Sequence, residues 1–365
     1  MSVTAPAAIA DAIIAGDLHA LAPAGLLAYL GGGPDAPPEH RVDVWEMMAA
    51  ADRVRRTRFG AEVHLCSIIN AKEGGCPEDC GFCAQSKHFD THVKPTKFTP
   101  IDAIVRASEQ AAARHASALG LVTATRGLED DGFGLDHIVA GLRAVRAAGH
   151  TEAHASLGFV SDAGFDRLID AGLTEFNHNL ETGRSYFGKI VTTHTYDDRI
   201  DTIRRAKAKG LRTCVGGIFG MGEAASDRAE MAQTLRELDV DEVPLNFLVS
   251  VDGTALAKVE PIAPLEMLRI IAAFRLFLPR QNIFIAAGRM HLGHLLPFMF
   301  AAGASGMMVG DFLTTPNRSV DDDLQMLAEL GLTPRVCGSG RPELAGAATA
   351  SGKPAAASRR LPVVA

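Results

Sequence analysis

The chain has 365 residues, of which 47% are hydrophobic and 22% are charged, and its formal net charge is -7. This composition supports a large buried core and argues against a nucleic-acid-binding protein, which usually carries clustered Lys and Arg. No apolar run is long enough to cross a bilayer, and the Ala- and Leu-rich start lacks the basic residues of a signal peptide. We therefore expect a globular cytoplasmic protein without nucleic-acid or membrane partners.

Residues 1–60 predict a helical N-terminal extension. From residue 62 onward, short apolar segments alternate with amphipathic helical patterns. Strands are predicted at residues 63–69, 118–123, 152–157, 174–180, 211–217, 243–249, 282–287 and 305–310. Helices are predicted between them at residues 101–115, 134–148, 195–209, 225–238, 264–278 and 291–302.

Eight strands, most of them followed by a helix, favour an α/β fold in which residues 61–332 form a closed (β/α)8 TIM barrel. An open, doubly wound parallel sheet is the alternative that the same pattern allows. Residues 333–365 are dominated by a Gly-, Ala-, Ser- and Pro-rich stretch and predict a low-complexity, disordered tail.

Three of the six cysteines lie in the segment Cys76-Pro-Glu-Asp-Cys80-Gly-Phe-Cys83, which follows the first predicted strand. Loops that follow barrel strands form the active face of this fold. Three thiolates can hold three irons of a [4Fe-4S] cluster and leave the fourth iron open for S-adenosylmethionine, whose one-electron cleavage gives a 5′-deoxyadenosyl radical. Phe82 lies between two ligands, where it can screen the cluster from solvent. The alternatives are a structural zinc site completed by Cys66 or His88, and cysteines without a metal.

The segment CSIINAKEGGCPEDCGFCAQS at residues 66–86 resembles biotin synthases. Further similar motifs are FNHNLET at 176–182, TTHTY at 192–196, CVGGIFGMGE at 214–223, VPLNFL at 243–248 and LTTPN at 313–317. The resemblance covers roughly residues 45–332. It implies a radical S-adenosylmethionine enzyme, usually a homodimer, that inserts sulfur into dethiobiotin to make biotin. It also implies an electron donor such as flavodoxin or ferredoxin.

The resemblance assigns the cofactor side of the site by position. The cysteine triplet corresponds to the ligands of the four-iron cluster. Asn179 and Glu181 correspond to residues that hold the ribose hydroxyls of S-adenosylmethionine, and a carboxylate can accept from both hydroxyls. Arg199 corresponds to the residue that meets the methionyl carboxylate, a pairing that guanidinium geometry favours. Arg199 could instead be a surface helix residue.

The resemblance also implies a substrate side. Asn177 and Asn246 correspond to residues that hydrogen-bond the ureido ring of dethiobiotin, which requires both a donor and an acceptor. Thr314 and Thr315 correspond to hydroxyls near the carboxylate tail of the substrate. The asparagines could instead cap strand ends, and Thr314 could cap the helix that follows.

Two positions depart from the family pattern. Most biotin synthases hold a second, two-iron cluster with three cysteines and one arginine, and this cluster is thought to supply the sulfur. Cys214 and Arg289 occupy two of these positions, whereas Gly120 and His154 occupy the other two. Glycine supplies no ligand, and histidine can bind iron as it does in Rieske centres. The sequence therefore predicts that the usual two-iron cluster is not stably bound.

Three functions remain open at this point. The first is a biotin synthase, with a different sulfur donor if the second cluster is missing. The second is a paralogue that uses the same radical for a rearrangement or for cofactor maturation, and the third is a non-catalytic scaffold that binds zinc or a cluster. His154 could also be a packed interior histidine bonded to Ser156 or Asn179, and Cys66 is interpreted as strand core.

Overall fold

The structure is a computed structural model that describes residues 3–31, 42–310, 313–314 and 317–335. The predicted tail from residue 336 onward and Thr315 lie outside these residues. The chain begins with three helices, α1 Pro6–Ile14, α2 Pro23–Tyr29 and α3 Val44–Phe59. Proline occupies the first turn of α1 and α2, where its missing N–H costs nothing. Helix α3 packs against α1 and against α10 of the barrel, whose bounds follow.

The strands of the barrel are β1 Glu62–Lys72, β2 Ala118–Thr123, β3 Glu152–Ser156, β4 Leu173–Asn177, β5 Arg212–Cys214, β6 Gly217–Phe219, β7 Glu242–Phe247, β8 Asn282–Ile285, β9 Gly306–Met308 and β10 Thr333–Pro334. The helices are α4 Ile101–Ala113, α5 Phe133–Ala148, α6 Asp162–Ala171, α7 Arg184–Phe187, α8 Tyr196–Ala208, α9 Ala225–Glu237, α10 Pro264–Phe277, α11 Phe298–Ala301 and α12 Val320–Glu329, with a 3₁₀ helix at Arg289–Leu295.

All strands pair in parallel and close into a barrel. The order is β1-β2-β3-β4-β5-β7-β8-β9, and β9 pairs back with β1. Strand β6 pairs with β7 beyond the end of β5, and β10 adds to β1 from outside the ring. The predicted TIM barrel is therefore confirmed, and the open-sheet alternative is wrong. None of the described helices is both long enough and apolar enough to span a lipid bilayer.

The predicted strand at 211–217 is divided into β5 and β6. Pro244 on β7 has no N–H to donate, so the ladder between β5 and β7 stops after the pair Cys214 and Glu242. The Gly216 carbonyl instead accepts from the N–H groups of Leu180 and Glu181. A side chain at Gly216 would bring its Cβ within 1.9 Å of the Pro244 carbonyl oxygen, so only glycine fits here. This break ties the segment after β4 to the barrel rim.

The helices differ from the prediction in two ways. The helix predicted at 291–302 is a 3₁₀ helix followed by the short α11, because Gly293 has a φ of 53° and Pro297 cannot continue the hydrogen-bond pattern. Helix α6, like α7 and α12, was not among the predicted helices. Its boundaries carry local signals, since Ser161 caps its start and Gly172 ends it with a φ of 111°.

Alternation along β1 explains the character of the barrel interior. Val63 and Leu65 face the surrounding helices and are fully buried. His64 and Cys66 face the opposite way, toward the inside of the barrel, as the period of two requires. The part of the barrel interior near the N-terminal ends of the strands, called the lower barrel below, is consequently polar and is not filled with branched aliphatic side chains.

Candidate active site

The β1–α4 loop carries the three cysteines and is held by backbone hydrogen bonds. The N–H of Cys76 donates to the Gln85 carbonyl at 3.0 Å, and the N–H of Cys83 donates to the Cys80 carbonyl at 2.9 Å. Gly81 N–H reaches across to the carbonyl of Ile190, which precedes α8. The cysteines and Phe82 line a cavity of about 430 Å³ at the C-terminal ends of the strands. This is the face on which barrel enzymes place their active sites.

Burial makes the three thiols poor acids when no metal is bound. It raises the pKa of Cys76 and Cys80, and it raises the pKa of Cys83 to about 11. Thiolates are therefore stable here only beside a compensating positive charge. Iron ions supply that charge, so the donor set fits an iron–sulfur cluster.

The spacing of the sulfurs differs from that of a mononuclear zinc site. Two thiolates on one tetrahedral zinc lie roughly 3.8 Å apart. Among the described residues, the three sulfurs do not form a group within 4.8 Å of one another. His88 Nε2 donates to the Pro77 carbonyl at 2.9 Å, and Cys66 lies in the barrel interior beside His154. Neither predicted fourth zinc ligand joins the triplet, and the three sulfurs are not grouped as closely as one zinc ion would hold them.

Asn179, Glu181 and Arg199 meet on the same cavity wall. The Arg199 guanidinium donates to the Asn179 carbonyl at 2.8 Å and lies 3.5 Å from Glu181 Oε1. Glu181 adopts a φ of 70°, a left-handed conformation that residues with a side chain rarely adopt. Its Oε2 is buried and accepts no hydrogen bond from the described residues. Burial raises the pKa of Glu181, although Arg199 opposes this shift.

Glu78, between two of the cysteines, links the cluster loop to Arg199. It accepts from Arg126 at 2.7 Å and hydrogen-bonds His194 Nδ1. His194 Nε2 in turn accepts from Arg199 Nε at 3.0 Å. Burial and the nearby Arg199 lower the pKa of His194, as expected for a neutral imidazole that accepts from a guanidinium. Sequence reasoning missed both Glu78 and His194, although both lie inside the motifs that carry the resemblance.

The substrate-side residues also reach the cavity, but their hydrogen bonding differs. Asn177 lines the wall and makes no side-chain hydrogen bond to the described residues. Asn246 donates to the Gly217 carbonyl at 3.2 Å and accepts from Ala287 N–H at 3.1 Å, so its carboxamide ties neighbouring strand ends together. Thr314 lines the same cavity, whereas Thr315 lies outside the described residues.

Two domain families match consecutive parts of the chain. The radical SAM superfamily matches residues 74–235, which contain the cysteine loop. The Biotin and Thiamin Synthesis associated domain matches residues 244–333. The biotin synthase of Syntrophotalea carbinolica is 45% identical over 292 residues, which cover 80% of this chain and 89% of that protein. The biotin synthase of Geobacter sulfurreducens is 46% identical over 296 residues, which cover 81% of this chain and 90% of that protein.

The chain belongs to the biotin synthase family. Radical SAM membership implies a four-iron cluster, S-adenosylmethionine, a small-molecule substrate and an electron donor. Methylornithine synthase shares the fold with a TM-score of 0.74 and 19% identity, covering 90% of this chain and 97% of that one. The hydrogenase maturase HydG of Carboxydothermus hydrogenoformans has a TM-score of 0.75 and 14% identity, covering 92% and 81%. Identities this low show a common fold and no more.

His154 occupies a second-cluster position of biotin synthases, but both of its ring nitrogens contact other side chains. Its Nδ1 lies 3.1 Å from Glu175 Oε1, and its Nε2 lies 3.1 Å from an Arg212 nitrogen and 3.5 Å from Glu152 Oε2. The predicted partners Ser156 and Asn179 are therefore wrong. Burial alone would lower the pKa of His154, but the two glutamates and the Cys66 thiol raise it well above its usual value.

The other second-cluster positions do not form a matching ligand set. Gly120 on β2 offers no side chain, and Arg289 forms a two-point ion pair with Asp323 in which both side chains are fully buried. Cys214 is buried on β5, and its sulfur lies within 4.8 Å of a carboxylate oxygen of Glu175 and of Glu242. These residues do not fit a two-iron cluster bound by three thiolates and one arginine.

Sequence reasoning also missed Glu175 and Glu242, which approach Cys214 in the lower barrel. Each is the one charged residue of its strand and lies at an inward position, and each is almost fully buried. A charged residue within a buried strand is rare enough to mark a polar interior site. That signal was present in the sequence, whereas the meeting of the two side chains depends on closure of the barrel.

Proposed function

We propose that this chain cleaves S-adenosylmethionine reductively and uses the resulting radical to abstract hydrogen from dethiobiotin. One observation carries the proposal: a single cavity is lined by the cysteine triplet, by Asn179, Glu181 and Arg199, and by Asn177 and Asn246. Cofactor-side and substrate-side groups are thus close enough for radical transfer without diffusion. The similarity of this chain to biotin synthases supports the choice of substrate.

Cys76, Cys80 and Cys83 would hold the four-iron cluster. When bound, such a cluster supplies the electron that cleaves S-adenosylmethionine to methionine and a 5′-deoxyadenosyl radical. Arg199 orients the methionyl carboxylate through its fixed guanidinium, which His194 and the Asn179 carbonyl hold in place.

Glu181 is suited to the ribose hydroxyls. Its buried Oε2 has acceptor capacity left over, and Arg199 beside it favours the carboxylate form. A ribose that donates both hydroxyls to this side chain satisfies an otherwise unpaired buried oxygen. Binding of the nucleoside then contributes stability that the empty site lacks.

Asn177 is the better candidate for ureido recognition. Its carboxamide presents a donor and an acceptor to the cavity. Asn246 has one N–H and one lone pair engaged with Gly217 and Ala287, which fixes the geometry of the strand ends beside the substrate. Its second N–H and second lone pair remain available to a urea ring.

A second candidate function is radical chemistry without sulfur insertion, such as a rearrangement or a cofactor-maturation step. The observation that favours it is the lower barrel, where Gly120, His154 and the Arg289–Asp323 pair do not form the usual sulfur-donor site. The radical-forming residues are the same in both cases. The two functions differ in product and share the first step.

One assay separates these possibilities. The protein is reconstituted anaerobically with iron and sulfide, reduced, and incubated with S-adenosylmethionine and dethiobiotin, while 5′-deoxyadenosine and biotin are quantified. We expect 5′-deoxyadenosine from the parent and none from Cys80→Ala. Biotin formation supports the first function, and 5′-deoxyadenosine without biotin supports the second. Equal 5′-deoxyadenosine from parent and variant would refute both.

A further inference from the structure

A second polar group lies in the barrel interior, outside the lining of the active-site cavity. Its members are Glu175 on β4, Cys214 on β5 and Glu242 on β7, which are 1%, 4% and 3% exposed. Cys214 and Glu242 are direct register partners. One carboxylate oxygen of each glutamate and the Cys214 Sγ all lie within 4.8 Å of one another. Within the described ranges, no other group of at least three His, Cys, Asp and Glu side chains is this compact.

Neighbouring side chains orient the two carboxylates. Asn282 Nδ2 donates to Glu242 Oε1 at 3.2 Å, and His64 Nδ1 lies 3.2 Å from the same oxygen. His154 Nδ1 lies 3.1 Å from Glu175 Oε1. Carboxylates that bind metals are usually held by hydrogen bonds of this kind from residues behind them. The two carboxylates of the group are therefore oriented by neighbouring side chains, as the ligands of a metal site usually are.

The negative charge of the group exceeds the positive charge around it. Glu175 Oε2 is buried and accepts no hydrogen bond from the described residues, although Arg212 Nε lies 3.3 Å away. The same guanidinium also pairs with Glu152 at 2.5 Å. The carboxylates of Glu152, Glu175 and Glu242 thus lie around one guanidinium, so at least one negative charge is in excess whether His154 is neutral or protonated. Buried charges are costly unless they are paired or bind a metal.

The donor types point to a transition metal. A thiolate with two carboxylates suits zinc or ferrous iron, whereas magnesium and calcium prefer oxygen ligands alone. With metal–ligand distances of about 2.0–2.3 Å, a bound ion would bring the donor atoms to roughly 3.3–3.8 Å from one another. Ligand atoms already within 4.8 Å need only small side-chain movements to reach that spacing.

We propose that Glu175, Cys214 and Glu242 bind one divalent transition-metal ion, Zn²⁺ or Fe²⁺, in the barrel interior. The site occupies the part of the barrel where biotin synthases are expected to hold their two-iron cluster, but it uses a different ligand set. It does not depend on the radical reaction or on the identity of the substrate.

Cobalt distinguishes this site from the iron–sulfur cluster. Full-length protein, with its four-iron cluster reconstituted, is equilibrated anaerobically with Co²⁺, and bound cobalt is counted by mass spectrometry. We expect about one cobalt per chain, with X-ray absorption at the cobalt edge showing one sulfur neighbour at roughly 2.3 Å. Zn²⁺ and Fe²⁺ are then compared by their ability to displace the cobalt.

Conservative variants test the ligands. Cys214→Ser, Glu175→Gln and Glu242→Gln should each weaken cobalt binding at least tenfold, and Cys214→Ser should also remove the sulfur neighbour. Glu152→Gln is the matched control, because Glu152 contacts His154 and Arg212 but is not among the three ligands. Its affinity should stay within about threefold of the parent value.

Two results would overturn the proposal. One is parent protein that binds less than about 0.2 cobalt per chain, or that binds cobalt without a sulfur neighbour. The other is undiminished affinity in Cys214→Ser and Glu242→Gln, since cobalt would then lie elsewhere, for instance at the cluster. The first result is measured on the parent protein alone. The proposal can therefore be refuted even if a variant fails to fold.

Discussion

The ion pair between Arg289 and Asp323 should contribute to stability and not to iron binding. Both side chains are 0% exposed, and two N–H···O contacts of 2.8 and 2.5 Å join them. Removing one partner of such a pair strands a buried charge and costs about 3–5 kcal/mol. We therefore expect Arg289→Met to lower the free energy of unfolding by that amount. Replacing both partners, with Arg289→Met and Asp323→Leu, should recover most of the loss.

Urea unfolding followed by far-ultraviolet circular dichroism measures this effect. With a slope near 3 kcal/mol per molar urea, a loss of about 3–5 kcal/mol moves the midpoint down by roughly 1–2 M. Arg280→Met is the matched control, because Arg280 pairs with Asp239 on the surface, where the side chains are 48% and 59% exposed. That change should cost less than about 1 kcal/mol.

Two outcomes would refute this reasoning about Arg289. The first is an Arg289→Met midpoint equal to that of the surface control. The second is a double variant no more stable than Arg289→Met alone. A large loss of iron from a variant that remains stably folded would instead assign Arg289 to a cluster.

Four further predictions concern the site. Cys80→Ala should abolish 5′-deoxyadenosine formation and lower the iron content, and normal turnover by this variant would disprove the ligand assignment. Glu78→Gln should weaken S-adenosylmethionine binding by roughly 1–2 kcal/mol, about 5- to 30-fold in Kd by calorimetry, because a carboxamide has one acceptor oxygen where Arg126 and His194 contact two, which loosens the link to Arg199; an unchanged Kd would exclude that link. Asn246→Ala should leave cleavage without substrate largely intact but weaken dethiobiotin binding by about 1–3 kcal/mol, and equal affinity would contradict this. Protein as purified should hold about four cluster irons per chain, whereas Gly120→Cys with His154→Cys should raise that number and add two-iron absorption; a separate two-iron Mössbauer signal in the parent would disprove this.

Local sequence patterns were sufficient for much of the fold. The strand predicted at 118–123 has the same limits as β2, and the strand and helix alternation gave the closed barrel. The cysteine motif likewise predicted a loop at the active face. These features depend on neighbouring residues, so a single segment contains the information that defines them.

Features that depend on distant residues were not predictable in this way. The break between β5 and β6 arises from Pro244, which lies on the neighbouring strand. The engagement of Asn246 with two strand ends, and the approach of Glu175 to Glu242, exist only after the barrel closes. Resemblance assigned Arg289 to a cluster, whereas its partner Asp323 comes from a helix 34 residues later. Charges at inward strand positions were the available signal for the polar interior.

The transfer of deuterium from substrate to cofactor tests the central claim most directly. Dethiobiotin deuterated at the carbons that gain sulfur is incubated with the reconstituted, reduced protein and S-adenosylmethionine, and the 5′-deoxyadenosine is analysed by mass spectrometry. Abstraction by a radical formed in the same cavity predicts that 5′-deoxyadenosine carries deuterium. Abundant 5′-deoxyadenosine without deuterium, at saturating dethiobiotin, would contradict the assignment of dethiobiotin as the molecule from which hydrogen is taken.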